Sequence, residues 1–397
     1  MIRHLRKTVQ RLRRSLGKPD PGSGGGPLDS SLWGVNLVGY IRAEMGIGEA
    51  ARGLASALDA SGVPFGIIDY EVGNPSRQND ETWLHRLVDE PTYGINILHV
   101  NADLVAKARR HLGRRLFKNR YTIGFWAWEL PDFPDRWQSS FDLVDEIWTP
   151  SSFVMKAVAQ KSTKPVHCFP HPIAKGPGPY LDRVFFKLPE RPFLFLSMYD
   201  LHSIPQRKNP YGSIMAFKTA FRPDDPEVGL VLKVNNANKR EWKALQELIG
   251  RYRNIYLVDQ VLSRHQVDSL LAACDCFVSL HRSEGFGLVL AEAMGLGRPV
   301  IGTGWSGNME FMNQQNSVCV KYELKKLGKR YGPYDAKQYW AEPDLLDAAE
   351  WMVRLREEPQ LAAQLAEQGR QDVERLLSPR AIGDRIKEHL TSLSPKG

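Results

Sequence analysis

The stretch His281–Asn308, HRSEGFGLVLAEAMGLGRPVIGTGWSGN, decides how the rest of the chain is read. Before it, CDCFVSL (274–280) is a short apolar run of strand length; FGLVLAEAMGLG (286–297) has a helical composition, and RPVIGTG (298–304) returns to a strand. Strand, turn, helix and strand in this order form the repeating unit of a parallel sheet with right-handed crossovers. The turn, Ser283–Gly287, carries Gly285 and Gly287, where the missing Cβ lets backbone come close to a ligand. Exposed N–H groups at a helix start favour an anion or a sugar oxygen. Glu284 stands just ahead of them, and Glu292 lies eight positions further on, about 12 Å away along a helix. At that separation the two carboxylates suit opposite ends of a long ligand and do not suit a close acid–base dyad. A single glutamate at a helix start also serves simply to offset the helix dipole, so the pair gains meaning only from its surroundings.

Outward from this stretch, the same alternation fills the chain. LWGVNLVGY, PFGIIDY, GINILHVN, YTIGFWAWE, EIWTPS and KPVHCFP read as strands of a first series, and PFLFLSMYD, VGLVLKVN, NIYLVDQ, CDCFVSLH, RPVIGTG and SVCVKY as those of a second. GEAARGLASALDAS, SSFVMKAVAQ, NPYGSIMAFKTAF and SRHQVDSLLAAC read as helices between them, and a helical tail follows Pro343. Two series in 397 residues predict an α/β protein of two doubly wound, Rossmann-like domains facing a cleft. The Pro/Gly-rich stretch 170–179, PHPIAKGPGP, marks the joint between them. Ligands of such sheets bind beyond the carboxyl ends of the strands.

The net charge of +8 is concentrated at the start. Residues 1–20 hold seven Lys/Arg and one acid, a net +6, so only +2 is left for the other 377 residues. That balance argues against a nucleic-acid-binding body, whose basic residues spread over a working face. Residues 1–18 place Ile2, Leu5, Val9, Leu12 and Leu16 on one stripe of a basic amphipathic helix, and residues 19–30 form a Gly/Pro linker. Such a helix suits an anionic membrane surface; packing on its own body, a short coiled coil and a frayed tail are the alternatives. No apolar run follows it as in a signal peptide, and none is long enough to span a membrane. The four cysteines have neither zinc-finger nor disulfide-framework spacing. The expected location is therefore the cytoplasm, peripheral at the inner face of the membrane.

With strand, SEGFG turn, E-x7-E spacing and the glycine-rich GTGWSGN together, the chain resembles the retaining glycosyltransferases of family four, which have the GT-B fold. The resemblance spans nearly all of residues 31–390. It implies an N-terminal acceptor domain over 31–172, a C-terminal nucleotide-sugar domain over 173–378, and a C-terminal helix over 379–397 packing back on the first domain. It also implies that Glu284 contacts the donor sugar and Glu292 the ribose hydroxyls. Gly285 and the N–H groups of Phe286, Gly287 and Leu288 then lie against sugar and phosphates. DLHSIPQRKNP (200–210) supplies Arg207 and Lys208 as cations for the leaving diphosphate, whose charge grows as the glycosidic bond breaks. The commoner family pattern has a further arginine at the strand end, where this chain has Met198 or Tyr199. Lys233 in LVLKVNN is a substitute unless its alternation turns it outward. Backbone at Val258–Val261, with Val261 in the loop, meets the nucleobase.

In the first domain, Gly46 and Gly48 of YIRAEMGIGEAARGLASAL resemble the family's glycine loop, although G-x-G before a helix is weak alone. Trp126, Trp128 and Glu129 of FWAWELPDFPDRW follow a strand and point to the acceptor or sugar, with a core role for the tryptophans equally open. No histidine follows that strand, as it does in many members of the family; His99 in NILHVNAD is the replacement, or else a core histidine. There is no D-x-D clamp, so no metal and no cofactor are expected, with the nucleotide-sugar as substrate. The expected reaction moves a hexose, mannose first, from a nucleoside diphosphate to a glycan or lipid-linked glycan acceptor in cell-surface polysaccharide synthesis. A sugar-nucleotide epimerase of the same fold and a non-catalytic nucleotide-sugar-binding regulator are the rival readings.

Overall fold

The computed structural model describes residues 32–393 apart from Lys175 and Pro177. The amphipathic helix and linker expected over 1–30 lie outside the described residues. The first half runs β1 (Val35–Gly39), α1 (Gly46–Ser61), β2 (Phe65–Asp69), β3 (Ile95–His99), α2 (Ala102–Leu112), β4 (Tyr121–Phe125), β5 (Glu146–Thr149), α3 (Ser152–Ala159) and β6 (Val166–Cys168). Its six strands are all parallel, in the order β2-β1-β3-β4-β5-β6.

The second half runs β7 (Phe193–Asp200), α4 (Pro210–Ala220), β8 (Val228–Asn235), α5 (Lys239–Ile249), β9 (Ile255–Val258), α6 (Arg264–Ala273), β10 (Cys276–Ser279), α7 (Leu288–Gly295), β11 (Val300–Thr303) and β12 (Val318–Val320). These strands are again parallel, in the order β12-β11-β10-β7-β8-β9. An antiparallel hairpin, β13 (Tyr322–Lys326) and β14 (Tyr339–Pro343), follows, and then α8 (Leu345–Glu357), α9 (Pro359–Leu377) and α10 (Pro379–Leu393).

Strands covered by helices on both faces have no solvent side, which is why they read as unbroken apolar runs. Every residue of β1 and β3 is buried. Strand order reverses direction between β1 and β3 in the first sheet and between β7 and β10 in the second. Crevices form at such reversals, at the carboxyl ends of the strands. An apolar core containing Leu37, Ile97, Leu196 and Phe277 extends through both halves. The last helix, α10, returns to the first half and lies on α1. The two helices come so close that a Cβ on Gly383 would stand 2.1 Å from the Ala57 carbonyl oxygen. Arg380 and Lys387 donate to the carbonyls of Ala60 and Ser61 near the C-terminal end of α1. Negative helix ends attract such cations.

Candidate active site

The loops that leave β7 and β10 meet at the second sheet's reversal point. After β7 the chain makes one helical turn, Pro205–Lys208, and leaves it through Asn209 at φ 50°. The Asn209 side chain donates to the Leu280 carbonyl at 2.8 Å, and Arg282 N–H donates to the Arg207 carbonyl at 2.7 Å. These bonds dock the cationic turn on the turn that carries Glu284. Lys208 Nζ lies 2.5 Å from Glu284 Oε1, and Arg207 Nη1 lies 3.1 Å from Oε2 and donates to the Ser283 carbonyl at 2.8 Å. The three side chains, named from sequence on two separate loops, are therefore one ion cluster.

Arg207 is only 5% exposed and Glu284 only 7%. Burial by itself pushes the Glu284 carboxyl up, but the Lys208 and Arg207 charges outweigh it and bring it down to about 2. The turn is held from behind by Trp305–Asn308. Glu284 N–H donates to Ser306 Oγ at 2.8 Å, Gly307 N–H donates to the Glu284 carbonyl at 2.9 Å, and the buried His281 pairs with Asn308 Oδ1 at 3.0 Å. Gly307 packs so tightly that a Cβ would stand 2.1 Å from the Gly285 carbonyl oxygen. Ser306 is held at φ 84°, where few residues other than glycine are found.

The first half contributes Glu129, which approaches Arg207 Nη2 at 3.9 Å. Tyr334, from the loop between β13 and β14, donates its hydroxyl to the other oxygen of Glu129 at 3.0 Å. Sequence reasoning had assigned nothing to this hairpin. Its solvent-facing strand β13 is exposed throughout, so it carries no apolar alternation to announce it. The same loop donates from Gln338 to the Asp132 carbonyl, and Arg136 donates to the Pro333 carbonyl. With Ser151 Oγ donating to the Gly285 carbonyl at 2.6 Å and Ser283 donating to the Glu129 carbonyl, these bonds close the two halves on each other at the edge of the cleft.

Glu292 belongs to a second cluster. Its Oε1 accepts from Arg264 at 2.9 Å, and Arg264 also pairs with Asp268. Burial pushes the Glu292 carboxyl above the ordinary range; Arg264 opposes this, while Glu49 and Asp268 add to it. Arg264, at the first turn of α6, was missed from the sequence. Its signal was the Ser263–Gln266 capping box, which fixes where the helix starts and so where Arg264 projects.

Several expectations are corrected. Trp126 and Trp128, for which a sugar platform and a core role stood equal, are core residues, 0% and 2% exposed. They pack on Phe133, Phe141, Trp137 and Tyr334, because these two side chains turn into the core under the closing hairpin, whereas Glu129 beside them reaches Arg207. His99 is not free to reach a ligand surface either: it is sandwiched near Phe125 and His171, and burial lowers its pKa to about 4, so it is neutral. Lys233 is buried and not turned outward, and its ammonium bonds to Asn235 at the end of its own strand. Burial lowers the Lys233 pKa to about 8.

The glycines divide. Beside Gly46 there is open space, whereas a Cβ on Gly48 would stand 2.2 Å from the Ala43 carbonyl oxygen. Gly287 caps α7 at φ 93°, and Phe286 is wedged between His171 and Phe311, with Leu288 partly buried. Gly285 lets the Trp128 backbone approach, not a ligand: a Cβ there would lie 2.8 Å from the Trp128 carbonyl oxygen. Gly285→Ala is therefore expected to cost about 1–3 kcal/mol of stability, read from urea unfolding, because backbone on both sides cannot yield easily. A variant as stable as wild type would show that the two halves do not pack here. Val261 is exposed in the loop after β9.

Residues 183–329 match the family described as Glycosyl transferases group 1. No curated protein matches the chain in sequence. Among solved structures, sucrose-phosphate synthase from Thermosynechococcus elongatus superposes with a TM-score of 0.65 at 15% identity, covering 91% of this chain and 99% of its own. A glycosyltransferase from Rickettsia africae gives 0.63 at 12% identity, covering 92% and 99%. HepE from Anabaena, crystallised with UDP and glucose, gives 0.59 at 15% identity, covering 91% and 100%. Two parallel six-stranded sheets facing across a cleft, shared with these proteins, are the GT-B fold, and the stretch of the second half that bears Lys208 and Glu284 lies within the match to the group 1 family.

Proposed function

We propose that the chain is a retaining hexosyltransferase that takes its sugar from a nucleoside diphosphate and passes it to a hydroxyl of a glycan or lipid-linked glycan. The observation that carries this reading is the Lys208–Glu284–Arg207 cluster at the reversal point between β7 and β10, within the residues that match the group 1 family. The ion cluster is the resting arrangement. A donor exchanges its contacts: Lys208 turns from Glu284 to the diphosphate, and Glu284 accepts from a sugar hydroxyl. Each charge keeps a partner throughout, so little desolvation cost is added. Arg207 stays fixed by the Ser283 carbonyl and Glu129 and holds the turn in place. In this reading Glu292, held by Arg264, takes the ribose hydroxyls at the other end of the donor. No metal is needed at the diphosphate while Lys208 supplies the charge.

HepE, crystallised with UDP-glucose as well as with UDP, makes a uridine donor the first to try, with mannose and glucose as sugars. Among the described residues no helix is long and apolar enough to cross a membrane. Residues 1–18 would bring the enzyme to an anionic lipid surface where a lipid-linked acceptor for surface polysaccharide is found. The test is thermal unfolding with UDP-, GDP- and ADP-sugars. One base is expected to stabilise the chain by about 2.7 kcal/mol at a hundredfold excess over its Kd. No shift with any of them would overturn the reading. Incubating that donor without acceptor separates a transferase from an epimerase, since only the latter converts the sugar.

A further inference from the structure

Away from the cleft, three side chains from three distant segments converge on the sheet face that α10 covers. Glu146 opens β5 at its amino end, and its carboxylate is buried at 1% exposure. His167 lies in the edge strand β6, paired in register with Trp148, so it shares a face with Glu146. His389 comes from α10, more than two hundred residues later. Its Nε2 lies 2.7 Å from Glu146 Oε1, and His167 Nε2 lies 3.9 Å from the same oxygen, too far for a hydrogen bond. The three ligand atoms lie within 4.8 Å of one another, and the two imidazole rings are 4.5 Å apart.

We infer that Glu146, His167 and His389 bind a divalent cation of the zinc class. The donor set of two imidazole nitrogens and one carboxylate oxygen is the one such ions take, with bonds of about 2.1 Å and ligand atoms about 3.4 Å apart. The present separations lie on either side of that spacing, so a shift of about an ångström seats the ion. The cation takes the place of the hydrogen between His389 Nε2 and Glu146 Oε1, and the neutral imidazole keeps its one proton on Nδ1. Carboxylate support is already in place: Trp148 Nε1–H donates to Oε1 and the Tyr121 hydroxyl donates to Oε2 at 3.1 Å. His167 is 39% exposed on its side chain, which leaves a fourth position open to water. Glu146 is at the amino end of its strand, whereas the cleft is at the carboxyl ends, so this ion fastens α10 to the first sheet and takes no part in transfer.

The experiment uses the untagged full chain, stripped with a chelator and titrated with zinc against a chromophoric competitor. Wild type is expected to take about one equivalent and to unfold at a higher temperature with zinc. His167→Ala and His389→Ala should each weaken binding at least about tenfold, while His85→Ala does not. X-ray absorption at the zinc edge should report two imidazoles and one oxygen. If His389→Ala fails to fold, His167→Ala still decides, because it lies on an exposed edge. The inference is overturned if wild type retains no zinc, or if both variants bind it as tightly as wild type; Glu146 and His389 are then an ion pair only.

Discussion

Replacing Lys208 with methionine is expected to lower transfer by roughly 10²–10³-fold with little loss of stability. The side chain ends a single helical turn and keeps 25% of its surface exposed, so the methionine stem replaces most of its packing. Glu284 still has Arg207 at 3.1 Å, so no buried carboxylate is stranded. What disappears is the cation that, in the proposed function, follows the diphosphate as the glycosidic bond breaks. Charge on that leaving group is greater in the transition state than in the bound donor, so kcat should fall more than KM rises. Steady-state rates at saturating donor, together with an unfolding curve, check both halves of the claim. A variant with unchanged kcat would show that Lys208 only neutralises Glu284, and the proposed exchange of partners would fail.

The parts of this picture that could be read from the sequence are those with a local signature. Parallel strands bury both faces, so VNLVG and FLFLSMYD announce themselves without any alternation, and the turn carrying Glu284 sits between two of them. That Lys208 and Glu284, 76 residues apart, should serve one ligand was implied by the family resemblance, and both being at carboxyl ends of strands agreed with it. Their direct pairing did not follow, because it depends on Asn209 and Arg282 docking one loop on the other. Trp126 and Trp128 were ambiguous for a physical reason: an aromatic side chain past a strand end faces a ligand or a lid, and only the hairpin bearing Tyr334 decides which. That hairpin is polar on its exposed strand and gave no pattern to read. Glu146, His167 and His389 could not be linked by spacing at all, since α10 must first return to the opposite half.

Arg207→Met is expected to act differently from Lys208→Met, lowering both stability and rate. Its guanidinium is buried and holds three oxygens from two halves of the molecule: the Ser283 carbonyl, Glu284 and, more distantly, Glu129. Removing it leaves Glu284 and Glu129 facing each other with a single cation, and losing one member of a buried ion cluster costs about 3–5 kcal/mol. The sign of the pH dependence separates this from a packing defect. In the wild type the Glu284 pKa falls from 4.5 to about 2, against the upward push of burial, because Lys208 and Arg207 oppose it. A depressed folded-state pKa contributes stability that is fully present above about pH 5 and is lost as pH falls toward 2. Arg207→Met forfeits part of that contribution at neutral pH, where it is largest. The stability gap between wild type and variant should therefore narrow as pH falls through this window. A gap that stayed constant from pH 7 to 3 would mean that the guanidinium stabilises by filling space, and that its charge does not hold the Glu284 turn. Adding Glu284→Gln to Arg207→Met should then cost less than the two singles together, by about 0.5–3 kcal/mol, because the second change removes the carboxylate that the first had stranded.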